Sequence, residues 1–298
     1  MSTKTLTAGG RDVEISNADK ILFPEDGFTK LDLAQYYAKI AETALRHYRD
    51  RPVTMQRFPD GIAEDGFFQK NIPDYFPDWI KWVQVPKENG TVTHAVVSCA
   101  ATLVYLADQG CITPHLGLTR AGALHKPDRM IFDLDPSDGD FGKVQEVAQA
   151  VKRALDQRAL PSFVTTTGSR GVHIVLSLDA SVKVGRLRPF ARALAEEVAE
   201  AHPALATTEQ RKGSRGDRVL IDTFRAAHAQ TAVAPYAVRA RQGAPVATPL
   251  RWAEAFSSDM AADRYSIASI FRRLGQTMDP WADIDDDPLD ATKLAEKR

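Results

Sequence analysis

The stretch RMIFDLDPSDGDFG, residues 129–142, ends an apolar run on two carboxylates, Asp133 and Asp135, and then breaks at Pro136. Alternate residues of a strand share one face, so both acids point into one small space. Like charges held that close raise each other's pKa unless a cation lies between them. The pair therefore asks for a metal ion or a shared proton. A bare D-x-D is also how a strand can end in water, and the surrounding chain decides between the two.

Apolar patterning marks a strand at 129–135 and a helix over 142–158, with Val144, Val147, Val151 and Leu155 on one side. SFVTT reads as a second strand, GSRG as a turn and VHIVLSL as a third strand. A helix over 187–201 follows, and RVLIDTF (218–224) closes as a fourth strand. The order β-α-β-β-α-β is the split βαβ arrangement of ferredoxin-like and RRM-like folds, an α+β core. There the first strand lies between the third and fourth, so Asp222 falls beside Asp133 and Asp135, and His173 flanks them from the other side. Three hard oxygen ligands suit Mg²⁺ or Mn²⁺. Two such ions about 3.5–4 Å apart would activate an attacking hydroxyl and stabilise a leaving pyrophosphate. The turn TTGSRGVHI adds Ser169, Arg170 and glycines whose amides can approach an anion, a candidate triphosphate cradle.

The bulk numbers bound the rest. The chain has 298 residues, a net charge of −1 and only two cysteines, Cys99 and Cys111, without C-x-x-C spacing. No zinc cage is expected. No signal peptide and no run long enough to span a membrane is visible, so a cytoplasmic protein with no membrane partner is expected. Charge is uneven: DPWADIDDDPLD (279–290) holds six Asp, while QRKGSRGDR (210–218) holds four basic residues and one acid. The acidic, proline-broken tail is expected to be solvated surface after helices near 250–256 and 264–274. Upstream, TKLDLAQYYAKIAETALRHY predicts a helix capped by Thr29 with Asp32 three residues on. Leu33, Tyr36, Tyr37, Ile40 and Ala44 supply its apolar stripe. RPVTMQRF, FFQK and WIKWVQV carry strand character, and a short helix in AATLVYLADQG stops at Gly110.

Taken together, MIFDLDP, TTGSRGVHI, RVLIDTFR and TAVAPYAVRAR, in this order, resemble the polymerase domain of bacterial DNA ligase D, of the archaeo-eukaryotic primase superfamily. ISNADKILFPEDGFTK, FFQKNIP and MDPWADI extend the resemblance over nearly the whole chain. It implies one primase-polymerase domain over 1–298: a DNA-end-binding α/β module (1–115), an RRM-like catalytic core (116–245), and C-terminal helices with the tail (246–298). It implies a template-dependent nucleotidyltransferase that extends DNA 3′ ends during non-homologous end joining, preferring ribonucleotides and Mn²⁺. Asp133, Asp135 and Asp222 would be metal ligands. Ser169, His173 and Arg239 would surround the NTP or dNTP, with Arg170 in the same cradle and His115 near the sugar. Phe67 and Phe68 match an aromatic pair, of which Phe68 would stack on the templating base pair. Asn17, Lys20 and Lys30 would hold the 5′-phosphate at a break, and Arg215 would grip template or a second end. Ku and an ATP-dependent DNA ligase are the implied partners, since no K-x-D-G ligase motif occurs here.

Three positions depart from that pattern: Leu116-Gly117 stands where Pro-Trp is common after the histidine, and Ala226 where Asn is common. Two other readings remain open on the residues alone. IFDLDPSDG mimics a haloacid-dehalogenase-type phosphatase, whose first Asp is a nucleophile, but Pro136-Ser137 replaces the usual Gly-Thr. A catalytically silent DNA-end-binding module would use the basic loop and Phe68 without chemistry.

Overall fold

A computed structural model describes residues 2–223 and 230–296. The expectations that fall on Phe224, Arg225 and Ala226 lie outside the described residues. The chain forms two compact units: Met1–Gly122 with Thr231–Ala247 and Tyr265–Gln276, and Ala123–Gln230 with Thr248–Arg264 and Thr277–Arg298.

In the first unit, β1 (Thr3–Ala8) and β2 (Arg11–Ser16) form a hairpin, and β3 (Ile21–Phe23) pairs with β4 (Phe28–Thr29), which runs straight into α1 (Lys30–Tyr48). The predicted cap is present as a reciprocal pair. Asp32 N donates to Thr29 Oγ1 at 3.2 Å, and Thr29 N donates to Asp32 Oδ2 at 2.7 Å. Thr29→Ala should therefore lower unfolding stability by about 1 kcal/mol, measurable by urea denaturation. The predicted stripe of α1 is buried in the core.

The main sheet of this unit comprises β5 (Pro52–Arg57), β6 (Phe67–Gln69), β7 (Trp82–Lys87), β8 (Gly90–Val96) and, after α2 (Ala100–Asp108), β9 (Cys111–Gly117). β5 lies between β8 and β9; β7 extends one side, the strand Thr231–Val233 the other, and β6 pairs with the end of β5. β8 and β9 are not among the strands that the sequence pattern marks. Pro114 argues against a central strand because it cannot donate to a ladder, yet every residue of β9 is buried, and that burial wins.

The second unit contains β10 (Arg129–Pro136), α3 (Phe141–Asp156), β11 (Phe163–Thr166), β12 (Val172–Ser177), α4 (Arg188–Ala201), β13 (Ala206–Thr207) and β14 (Val219–Asp222). Its sheet runs β13-β14-β10-β12-β11 and ends on the short strand Pro249–Leu250. The β10, β11, β12 and β14 pairings are all antiparallel, so the split βαβ core stands as expected, with one short strand added at each edge. Phe132, Leu134, Ile174, Leu176, Val219 and Ile221 share one buried face, against which α3 and α4 pack. The acids occupy the other.

The C-terminal tail departs from the expectation of solvated surface. Trp281 and Ile284 are buried, and Trp281 Nε1 donates to Val164 O at 3.1 Å. Asp285 pairs with Arg129 of β10, and Leu289 N donates to Ser177 O at 2.9 Å. The tail is a strap over the second unit, its acidic composition masking two apolar anchors. Among the described residues, no helix is long and apolar enough to cross a membrane.

Candidate active site

The ladder places the functional side chains. Asp222 of β14 lies directly opposite Asp133 of β10, Asp133 opposite His173 of β12, and His173 opposite Thr165 of β11. Residues opposite one another point to the same face, so these four form one row across four strands, and Asp135 lies two residues along on that face. Thr165 completes the row, and no motif in the sequence marks it as a site residue.

Facing Cβ atoms in such pairs are about 4.5–5.5 Å apart, and like charges there are destabilising. At an effective dielectric of about 20, two carboxylates about 5 Å apart repel by roughly 3 kcal/mol. Both acids are half-buried, so water screens only part of this. The chain supplies some compensation. His173 Nε2 lies 3.4 Å from Asp133 Oδ1, and Arg170 Nη2 lies 3.3 Å from both oxygens of Asp135. Asp138 and Asp140, from the same acidic run, have different work. Asp140 caps α3 by accepting from Gly142 N at 2.8 Å, and Lys143 beside Asp138 holds its carboxyl below the usual carboxylate range.

The turn between β11 and β12 needs its glycines. Gly168 has φ +64, and a Cβ on Gly171 would lie 1.9 Å from Leu134 O. Thr167 N donates to Gly171 O at 2.9 Å and closes the turn. Ser169 is half-buried on it and Arg170 is exposed at its tip.

Could these residues hold a metal? Among the described residues, no three His, Cys, Asp or Glu side chains stand together at ligand spacing. The donor set still fits a hard divalent cation: three carboxylates, all partly accessible, sharing one face.

The first unit holds the other expected residues. Asn17 has φ +49, and its carbonyl accepts from Lys20 N at 2.9 Å, while Lys20 O accepts from Lys30 N at 2.8 Å. These three residues thus meet at the N-terminus of α1. Neither lysine is solvated surface alone: Lys20 pairs with Asp60, and Lys30 is buried, 3.4 Å from Asp108 Oδ1 and 3.3 Å from Ser16 Oγ. Phe67 and Phe68 are 47% and 60% exposed, because β6 is short and paired on one side only. Phe68 meets buried His115 edge-on at 5.3 Å, and Arg57 lies 5.6 Å over Phe67. Arg239 is half-buried, and its amide donates to Pro245 O at 2.7 Å. At Gly117, a Cβ would lie 3.2 Å from the Pro52 ring, so a bulkier residue there would need Pro52 to shift.

Arg215, in the second unit, is buried. Its Nε and Nη2 donate to Glu209 O and Gln210 O at 2.9 and 2.7 Å. It orders the basic loop from inside, whereas Arg211 and Lys212 carry that loop's exposed charge.

Comparison with known proteins bears on this arrangement. A family model described as the LigD primase-polymerase domain matches residues 29–281. The multifunctional non-homologous end joining DNA repair protein LigD of Mycobacterium tuberculosis H37Rv is 33% identical over 98% of this chain, and the match covers 39% of that protein. The bifunctional non-homologous end joining protein LigD of Bacillus subtilis is 30% identical over 94% of this chain, covering 46% of its own length. The chain thus spans less than half the length of these relatives. The polymerase domain of Mycobacterium tuberculosis ligase D, solved in complex with DNA, matches with a TM-score of 0.87 and 32% identity, over 93% of this chain and 99% of that one.

Proposed function

Since the chain belongs to the LigD primase-polymerase family, we propose that it is a template-dependent nucleotidyltransferase that extends DNA 3′ ends at double-strand breaks during non-homologous end joining. The observation that carries the reading is the row of Asp222, Asp133 and His173 with Asp135 on the same face. Three acids concentrated there are costly to a fold that makes no use of them. Family membership sets the phosphatase alternative aside.

The family is metal-dependent. Two Mn²⁺ or Mg²⁺ ions would be held by Asp133, Asp135 and Asp222. Bound there, they would supply charge neutralisation and polarisation of triphosphate oxygens. The chain's own residues do the positioning. His173 orients Asp133; Ser169, Arg170 and the amides of the Gly168–Gly171 turn bind phosphate oxygens; Arg239 adds a further cation. Phe68 stacks on the templating base pair and His115 contacts the sugar of a preferred ribonucleotide. In this reading both units serve one polymerase domain, with Ku and an ATP-dependent ligase as partners in repair. Extension of gapped and overhanging duplexes, with each nucleotide type and each metal, tests it. No incorporation under any combination would overturn it.

Asn17, Lys20 and Lys30 would recognise the 5′-phosphate of a recessed end, whose extra charge distinguishes it from an internal diester. Lys30→Ala would remove the cation beside buried Asp108, leaving its carboxylate with the donors Ser16 N, Ser16 Oγ and Gln109 Nε2 alone, so Lys30→Gln, which keeps a donor there, is the better probe. Lys20→Ala with Lys30→Gln should remove most of the preference for 5′-phosphate over 5′-hydroxyl ends, of roughly tenfold or more. The preference should weaken with salt. Fluorescence anisotropy at low salt measures both, and equal wild-type affinity for the two ends would rule the pocket out.

A further inference from the structure

On the main sheet of the first unit, one face is packed into the core through Val53, Met55 and Leu116. The opposite face is unusual. Thr54 of β5 lies directly opposite His115 of β9, and Gln56, two residues on, lies opposite Phe68 of β6. Thr54, Gln56, His115 and Phe68 therefore share that face. Thr54 is only 2% exposed, yet its Oγ1 has no hydrogen-bond partner, and neither has the buried Oε1 of Gln56.

Two unmet oxygens side by side in a well-packed sheet require a reason, since an unsatisfied buried polar atom costs about 1–3 kcal/mol. A valine at position 54 would fill the same volume without that cost. Alternate residues on a strand are about 6.6–6.8 Å apart, so one small polar group of a ligand can reach both. The neighbours indicate its chemistry. Gln56 Oε1 accepts only, while the Thr54 hydroxyl donates or accepts, so the matching group must donate to Gln56 and can accept from Thr54. A sugar hydroxyl does this; a phosphate oxygen does not.

We infer that Thr54 and Gln56 are specificity-determining residues that hydrogen-bond the ribose hydroxyl of the incoming nucleotide. The inference rests on the polymerase reading above, which puts nucleotide against Phe68 and His115. Phe68, 60% exposed and directly opposite Gln56, is an accessible side chain on that face. A deoxynucleotide leaves the two oxygens unmet, and a ribonucleotide satisfies them, so the pair converts a structural deficit into sugar selection.

The test compares wild type with Thr54→Val, Thr54→Ser and Gln56→Leu, reading kcat/KM for ribo- and deoxynucleotides, the melting temperature, and affinity for 5′-phosphorylated DNA. Thr54→Val should lower the ribo-to-deoxy ratio about fivefold to tenfold and raise the melting temperature by about 2–4 °C. Thr54→Ser, which keeps the hydroxyl, should retain the ratio. Gln56→Leu should lower it, and DNA affinity should stay at the wild-type value throughout. A purely structural hydroxyl would give the opposite sign in melting temperature and no change in the ratio. A wild type that extends while Thr54→Val keeps its ratio overturns this inference and leaves the polymerase reading standing. A wild type that incorporates no nucleotide overturns both.

Discussion

Asp133→Ala is expected to reduce primer extension by about a thousandfold or more, while DNA affinity stays within about twofold of wild type. Asp133 is the centre of the row: it faces Asp222 on one strand and His173 on the other. Its loss removes a proposed metal ligand and leaves His173 without the carboxylate now 3.4 Å away. Stability should move the other way. Removing one of two facing carboxylates relieves repulsion, so the metal-free melting temperature should hold or rise. A mutant that extends at the wild-type rate would remove Asp133 from the catalytic machinery. A mutant that loses activity together with its fold would mean that the row is structural.

Gly171→Ala should be the most damaging single methyl in the second unit. Its Cβ would lie 1.9 Å from Leu134 O and 3.0 Å from Leu134 C. Both atoms belong to the backbone of β10, so no side chain can rotate away. The strands must separate where β12 meets β10, two residues before His173. Overpacking usually costs about 1–3 kcal/mol, occasionally more, and a backbone clash belongs at or above the upper end. For a protein of this size that corresponds to a melting temperature lower by roughly 6–12 °C. Extension should fall with it, because Asp133 and His173 separate. Thermal denaturation and primer extension on the same preparation check both effects. A variant with wild-type melting would show that the close approach is not needed.

Much of this could be read from the residues because the second unit switches cleanly between the two hydrophobic periods. The run from Arg129 to Asp222 alternates in its strands and repeats every three or four residues in its helices, and that pattern places β10 between β12 and β14. The sequence does not show register. Asp133 faces His173, rather than a residue one place along, because the turn at Gly168 and the contact at Gly171 fix how far β12 slides on β10. Partners of buried charges were equally hidden. Nothing in the sequence sets Asp108 against Lys30 until α2 brings it there, and Arg215 reads as a DNA grip until the loop closes round its guanidinium. Composition misled at the tail, where Trp281 and Ile284 outweigh six aspartates. At β9 a proline concealed a strand at the heart of its sheet.

The row of side chains across β14, β10, β12 and β11 also sets when the site can exist during folding. β11 and β12 join through a tight turn and can meet early. Asp222 arrives only after the long stretch containing α4 and the basic loop has been closed, and closing such a loop costs entropy before any contact rewards it. A slip of one residue at that step would turn Asp222 to the helix-covered face and bury a carboxylate among Val and Ile side chains. The same spacing that assembles the acids therefore penalises the wrong pairing. Catalytic competence becomes a property of the completed sheet, absent from any partly folded one.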